Sequence, residues 1–355
     1  MRCSFSRPVE LPIKRGIDRW IDFSYDACWL ECPQCGDRVV MSFEDRVRGE
    51  SRTCRSGHDV SAQTEYPALT DLSDAATDPA VIERLVWYHT STRTDWPPTD
   101  ESPSASATHL GTSESAIENM FRRMRNQSDA DSQFYLHRVR IDCPPAEVSP
   151  LGEEPTDFMG NVWLRALYEA GHRVVRYVNV HEHPGSVSLA VVPSVITHVQ
   201  TLAVPLRLNT EESTASREAL ASYAAELDRL EALRPCTDGL SRLDMLMQRT
   251  PETAAIADAN QECDQAMWAA RDSYWLAMEK EHLPAVGFRT RDKLLDAVRS
   301  IHGDAANVHN RFRSLAELVR NPARTLAVVQ AQPVRQVTFA PASESADPAA
   351  GTTGA

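Results

Sequence analysis

Four potential metal ligands crowd one short window near the N-terminus, and they constrain the fold more than any other feature of the chain. Cys32-Pro-Gln-Cys35-Gly36 places two sulfurs across a tight turn that can aim both at one ion, and Gly36 frees the backbone to bend there. Cys54-Arg-Ser-Gly-His58 forms a second turn able to offer a sulfur and an imidazole. Between the two turns, residues 38–43 (RVVMSF) read as a strand. The spacing predicts tetrahedral coordination of Zn²⁺ by Cys32, Cys35, Cys54 and His58, with Cys28 as the replacement ligand if His58 does not serve. Four protein ligands close such a site to water, so its expected role is structural. A disulfide framework is disfavoured, because MRCSFSRPVELPIKRG has no apolar stretch of the kind that directs secretion.

The succession knuckle, strand, turn, knuckle resembles a zinc ribbon, over about 30 residues. Such modules often touch nucleic acid or protein. Here residues 1–60 hold about equal numbers of basic and acidic side chains, and the whole chain carries a net charge of −13. A generic grip on nucleic acid or on an anionic membrane is therefore disfavoured, and the module reads as scaffold or docking surface. The most apolar stretch, residues 187–206, is broken by Pro193, His198, Gln200 and Pro205, so no membrane span is expected. A soluble cytoplasmic protein is the expectation. Lysine occurs only at 14, 280 and 293, and this arginine bias suggests a GC-rich bacterial or phage genome.

The strongest candidate for chemistry lies further along, at RYVNVHEHPGSVSLAVV (176–192). Runs 174–180 and 186–192 are β-rich, and His181-Glu182-His183-Pro184-Gly185 between them predicts a hairpin. Three ionisable side chains then sit at its bend, where a sheet can present them to a ligand.

Ahead of it, Asp78-Pro79 opens a helix that runs into a strand or helix at Trp87-Tyr88-His89-Thr90-Ser91. Residues 94–108, rich in Pro, Ser, Thr and Asp, read as a mobile loop. Ser115 and Glu118 suggest a capping box for a helix whose stripe is Ile117, Met120, Phe121 and Met124. Just before it, His109-Leu110-Gly111-Thr112 could meet a phosphate through backbone amides and the helix N-terminus, or be a plain strand-to-helix turn. A strand at 133–141, a helix at 158–170 stopped by Gly171, and a strand at 201–208 complete the region. The mixture lacks the rhythm of a doubly wound sheet, so the fold class is α+β: a small zinc-ribbon-like module, a central mixed or antiparallel sheet with helices, and C-terminal helices.

Tyr88-His89-Thr90-Ser91, then a strand–helix unit, then a hairpin bearing Glu182, resembles the ADP-ribosyltransferase superfamily over roughly residues 85–196. The resemblance implies a compact split sheet binding NAD in a cleft. His89 and Ser91 would lie against a ribose of NAD, and Glu182 would bind the nicotinamide ribose and steady the positive charge that develops as nicotinamide leaves. By the same resemblance His89, Thr90, Ser91, His109, Gly111, Thr112 and Tyr177 are the cofactor-binding candidates. Glu182 and His89 are the catalytic ones. The chain departs from the family pattern in having Thr90 where Gly is usual, and in lacking a clear tyrosine motif, for which Tyr135 or Tyr177 stands in. The activity implied is transfer to a macromolecule or glycohydrolysis of NAD.

Two other readings compete with it. His181-x-His183 puts two imidazoles on one side of an extended strand and, with His89, His109 or Glu182, could form the metal site of a hydrolase. Alternatively the chain is a non-enzymatic protein- or nucleic-acid-interaction module. From residue 211 the pattern turns helical, with Leu220, Tyr223, Leu227 and Leu230 in one stripe and Thr250-Pro251 opening a second long helix. Further helices at 290–301 and 305–320 make a helical hairpin or bundle, one seam of which could serve an oligomer. The expected division is 1–65, 66–210, 211–332 and a disordered tail at 333–355.

Overall fold

A computed structural model describes residues 16–19, 22–61, 69–127, 129–154, 156, 161–207, 211–235, 243, 247 and 250–339. The fold is α+β. In the N-terminal module, β1 (Ala27–Glu31) pairs antiparallel with β2 (Arg38–Ser42), and β3 (Ser51–Thr53) pairs with β4 (Asp59–Ser61). A short helix, α1 (Phe43–Val47), joins the two ribbons, and the Ser42 hydroxyl caps it by accepting from the Asp45 amide at 3.0 Å. Strand β2 follows the sequence expectation. Its partner β1 was not anticipated.

Two four-stranded sheets form the centre. The first runs β12–β11–β7–β5, all antiparallel, from β5 (Trp87–Ser91), β7 (Phe134–Ile141), β11 (Ile196–Val204) and β12 (Arg335–Gln336). The second runs β6–β10–β9–β8, from β6 (Thr108–Leu110), β8 (Val148–Gly152), β9 (Val174–Val178) and β10 (Val187–Val191). Only the β8–β9 pair is parallel. The expected hairpin is β9–β10. β10 lies between β6 and β9, and its five residues are all buried because apolar clusters pack on both of its faces. The sheets meet where β5 passes β6: Tyr88 and Gly111 exchange backbone hydrogen bonds of 3.0 Å each. That junction sets the strand carrying His89 beside the strand carrying His109.

Helix α2 (Ser113–Asn126) starts at this junction. Its stripe Ile117, Met120, Phe121 and Met124 is no more than 1% exposed, so each side chain contributes roughly 1.5–3 kcal/mol by burial. The Thr112 hydroxyl caps it by accepting from the Ser115 amide at 3.0 Å. The expected Ser115–Glu118 box does not form, because Glu118 is engaged elsewhere. Helix α3 (Leu164–Glu169) is shorter than the 158–170 helix expected, and 157–160 lie outside the described residues; Gly171, at φ +71°, ends it as expected.

The C-terminal helices are α4 (Thr214–Leu233), α5 (Pro251–His282), α6 (Phe288–Arg299), α7 (Ala305–Arg320) and α8 (Pro322–Gln330). Thr250 and Thr253 form a reciprocal capping box on α5. Asn321-Pro322 opens α8 directly after α7, since proline is tolerated in a first helical turn. One apolar core runs from α2, β5, β7 and β11 into these helices, joining Phe121, Phe134 and Leu202 to Tyr274, Leu294, Phe312 and Val329. Within the segment expected to be a disordered tail, β12 pairs with β11; residues 340–355 lie outside the described residues. Among the described residues no helix is long and apolar enough to cross a membrane.

Segment 92–107 is also anchored, contrary to the mobile loop expected. Trp96 is 4% exposed, stacked between His89 and His137 with ring centroids 4.6 and 4.8 Å away.

Candidate functional site

Two constellations stand out. In the N-terminal module, the ligand atoms of Cys32, Cys35, Cys54 and His58 all lie within 4.8 Å of one another, a group that could hold a metal ion. Cys35 Sγ is 3.6 Å from Cys54 Sγ, and His58 Nδ1 is 3.7 Å from Cys32 Sγ and 3.6 Å from Cys54 Sγ. Two thiolates each roughly 2.3 Å from a tetrahedral zinc lie about 3.8 Å apart, so this set has the right dimensions. Gly36 and Gly57, at φ +72° and +83°, make the turns that bring each pair inward. The alternative ligand Cys28 faces away: its thiol donates to the Met41 carbonyl at 3.4 Å, inside the module's small core.

The second constellation is a cluster of polar side chains at the junction of the two sheets. On β5, His89 Nδ1 lies 2.8 Å from the His109 carbonyl. A carbonyl only accepts, so Nδ1 carries the hydrogen and Nε2 is left as an acceptor. Burial lowers the His89 pKa to about 3, which keeps the ring neutral. On β6, His109 Nδ1 lies 2.9 Å from the Tyr177 hydroxyl of β9 and 3.4 Å from Glu154 Oε1, beyond β8. Burial lowers the His109 pKa to about 4. Burial and the neighbouring Glu182 raise that of Glu154 to about 7. Tyr177, 4% exposed, is raised well above the usual phenol by burial and by the two carboxyl groups.

Glu182 itself is 8% exposed. It accepts from Arg122 Nε at 2.6 Å and from Asn119 Nδ2 at 3.4 Å, both on α2. The bend carrying it is shaped by Asn179, whose Oδ1 accepts from the His181 and Glu182 amides at 3.0 and 2.9 Å. Glu118 Oε2 accepts from the His183 amide at 2.9 Å. From the module's side, Asp71 N donates to the Gly185 carbonyl at 2.8 Å, and Gly185 has φ +90° with no room for a Cβ beyond 3.0 Å from the Leu69 carbonyl.

His89, His109, Tyr177 and Glu182 are thus linked through successive neighbours, and the other expected contacts are committed to structure. The Thr90 hydroxyl donates to the Ala116 carbonyl at 2.7 Å, and Ser91 Oγ bridges His137 Nε2 at 2.8 Å to the Arg93 backbone. Gly111 leaves no room for a side chain, since a Cβ there would fall 2.1 Å from Ser115 Oγ. Thr112 caps its own helix and lies 3.1 Å from His183 Nδ1, and this helix N-terminus lines a separate cavity with Glu114 and His183. His181, by contrast, is exposed, and among the described residues neither histidine of the bend joins a metal-ligand group.

Arg122, Asn119, Glu154, Trp96 and His137 were not foreseen. His137 is fully buried, and burial lowers its pKa to about 3. The folded protein therefore keeps this ring neutral, while the unfolded chain takes up a proton below about pH 6.5. The stabilisation is present above about 6.5 and is lost towards pH 3, at about 1.4 kcal/mol per pH unit for this one ring. Urea midpoints between pH 7 and 5 should fall, and His137→Gln should flatten the slope by about one proton. An unchanged slope would count against the assignment.

No protein-family model, curated protein or solved structure matches this chain.

Proposed function

We propose that the chain is a NAD-utilising, ADP-ribosyltransferase-like enzyme whose reaction centre is the polar cluster at the two-sheet junction, with a zinc ribbon as its N-terminal module. The observation that supports it most is the convergence of four candidates from different elements. His89 on β5, His109 on β6, Tyr177 on β9 and Glu182 at the bend are separated by up to 93 positions in sequence, yet each lies near the next.

The chemistry needs little covalent work from the protein. The bond between nicotinamide nitrogen and ribose C1′ breaks, and nicotinamide leaves neutral with the bonding electrons. An acceptor forms the new bond at C1′ and gives up its proton. Positive charge grows on the ribose as the bond breaks, and the Glu182 carboxylate, held by Arg122 and Asn119, would stabilise it. The neutral His89, with Nε2 free to accept, suits a ribose hydroxyl rather than a phosphate. Purified protein incubated with nicotinamide-labelled NAD should release nicotinamide; no release above a heat-treated control would contradict the reading.

In the zinc ribbon, four ligands would leave no open position, and the ion would lock β1–β2 to β3–β4. Metal analysis should find one equivalent of zinc, lost in Cys32→Ser/Cys35→Ser together with the protease resistance of residues 27–61. A protein free of metal with the module still protected would overturn it. We read α4 and α5, whose Tyr223 and Tyr274 rings stack at 4.6 Å, as a helical hairpin, and Trp268 on α5, 59% exposed, as part of a surface for a macromolecular target.

A further inference from the structure

The sheet junction holds two carboxyl groups in unlike surroundings. Glu182 is ion-paired with the Arg122 guanidinium and accepts from the Asn119 amide. Among the described residues Glu154 makes no ion pair with an arginine or lysine: its neighbours are the Tyr177 hydroxyl, the neutral His109 ring at 3.4 Å and the charge of Glu182, with the Arg122 guanidinium, Glu182's partner, opposing the upward shift. Its side chain is 22% exposed, against 10% for Glu182, so Glu154 is the more open of the two to solvent. Two carboxyl groups in one site, one ion-paired and the other in surroundings that favour its protonated form, are the arrangement by which acid–base and electrostatic roles are divided.

We propose that Glu154 is the general base of this site: it removes the proton from an oxygen nucleophile, water or an acceptor hydroxyl, as that oxygen bonds to ribose C1′. This rests on the NAD-utilising reading above. The oxygen donates an electron pair to C1′, the C1′–N bond breaks towards nicotinamide, and the proton passes to a Glu154 oxygen and then to solvent. No oxidant or further reactant is needed. Tyr177 and His109 are positioning residues in this scheme. The phenol is kept protonated by burial and by both carboxyl groups, and His109 Nδ1, 2.9 Å from that phenol and 3.4 Å from Glu154, fixes the carboxyl from the β6 side. Burial and the charge of Glu182 raise Glu154 to about 7, which matches a base working near neutrality.

The test is nicotinamide release from labelled NAD, followed from pH 5 to 9, in wild type, Glu154→Gln, Glu154→Ala and Glu182→Gln. Wild-type kcat should rise through an apparent pKa near 7. Glu154→Gln should lower kcat by about 10²–10⁴-fold with KM nearly unchanged, and the limb near neutrality should vanish. Formate added to Glu154→Ala should restore part of the rate, which a merely structural role would not allow. If Glu154→Gln keeps both the rate and the limb while Glu182→Gln is inactive, Glu154 is not the base and the NAD-utilising reading survives. If the wild type releases no nicotinamide, the reading fails and the assignment of Glu154 falls with it.

Discussion

Glu182→Gln is expected to lower kcat for nicotinamide release by about 10²–10³-fold, the usual consequence of losing one preorganised electrostatic partner of the transition state. The change keeps the side chain's shape. A glutamine carbonyl can still accept from Arg122 Nε, 2.6 Å from the native carboxylate, so the bend should hold its conformation. What disappears is the negative charge facing the ribose as nicotinamide departs. Because that charge matters most in the transition state, KM should move little while kcat collapses. Circular dichroism and the urea midpoint should match those of the wild type, and a matching kcat would show that the carboxylate is a bystander. Glu182→Ala is the harsher variant, yet Arg122 is 45% exposed and would be rehydrated rather than stranded.

The second large effect is on stability, and it comes from Glu118. This carboxylate is fully buried on α2 and takes four donors: Arg289 Nε at 3.0 Å, Thr290 Oγ1 at 2.8 Å, Lys293 Nζ at 2.8 Å and the His183 amide at 2.9 Å. Arg289 is itself only 1% exposed. Glu118→Ala would leave that guanidinium buried without its ion-pair partner, and removing one partner of a buried pair costs about 3–5 kcal/mol. Chemical denaturation should show that loss, whereas a change within about 0.5 kcal/mol would mean that water reaches the site. Function should suffer as well. Glu118 holds the His183 amide and Lys293 also donates to the His181 carbonyl, so helix α6 steadies the bend that carries Glu182 from both sides. The variant should therefore lose nicotinamide release even at temperatures where it stays folded.

Acid will act on Glu118 and on His137 in different windows. Burial by itself would raise the Glu118 carboxyl, but Arg289 and Lys293 outweigh it and hold the group well below the usual carboxylate range. Its stabilisation is therefore complete above the unfolded value of about 4.3 and is lost only as pH falls below that. His137 begins to lose its contribution already below about pH 6.5. Mild acid should thus soften the stacked His89–Trp96–His137 corner before the Glu118 cluster gives way.

What the sequence made legible was local. The spacing Cys32-x-x-Cys35 and Cys54-x-x-x-His58 is short enough to encode its own turns, and the structure gathers those four ligand atoms. The hairpin, the α2 stripe and the Thr250 cap rest on periodicities and signals within a few residues, and they form as read. The errors came where a residue's partner is far away in the chain. Glu118 has the spacing of a capping residue, but partners 171 and 175 positions onward claim it. Trp96 lies in a proline-rich run whose composition suggests mobility, yet two histidines from β5 and β7 hold its ring. Arg122 meets Glu182 across 60 positions, and Glu154, just beyond β8, meets His109 across 45. Such pairings depend on strand order, which no short window specifies. Asn179 could have been found, since an asparagine just before a bend commonly bonds the amides that follow.

The claim that the sheet junction is a NAD site is tested most directly by a crystal structure of Glu182→Gln protein soaked with NAD, where turnover is slowed and the ligand persists. The account predicts the nicotinamide ribose within hydrogen-bond reach of the side chain at 182, with His89 and Tyr177 on the same side of the ligand. NAD seated elsewhere, such as the 380 Å³ cavity lined by Arg19, Asp74 and Glu114 behind the bend, or no NAD bound at all, would contradict it.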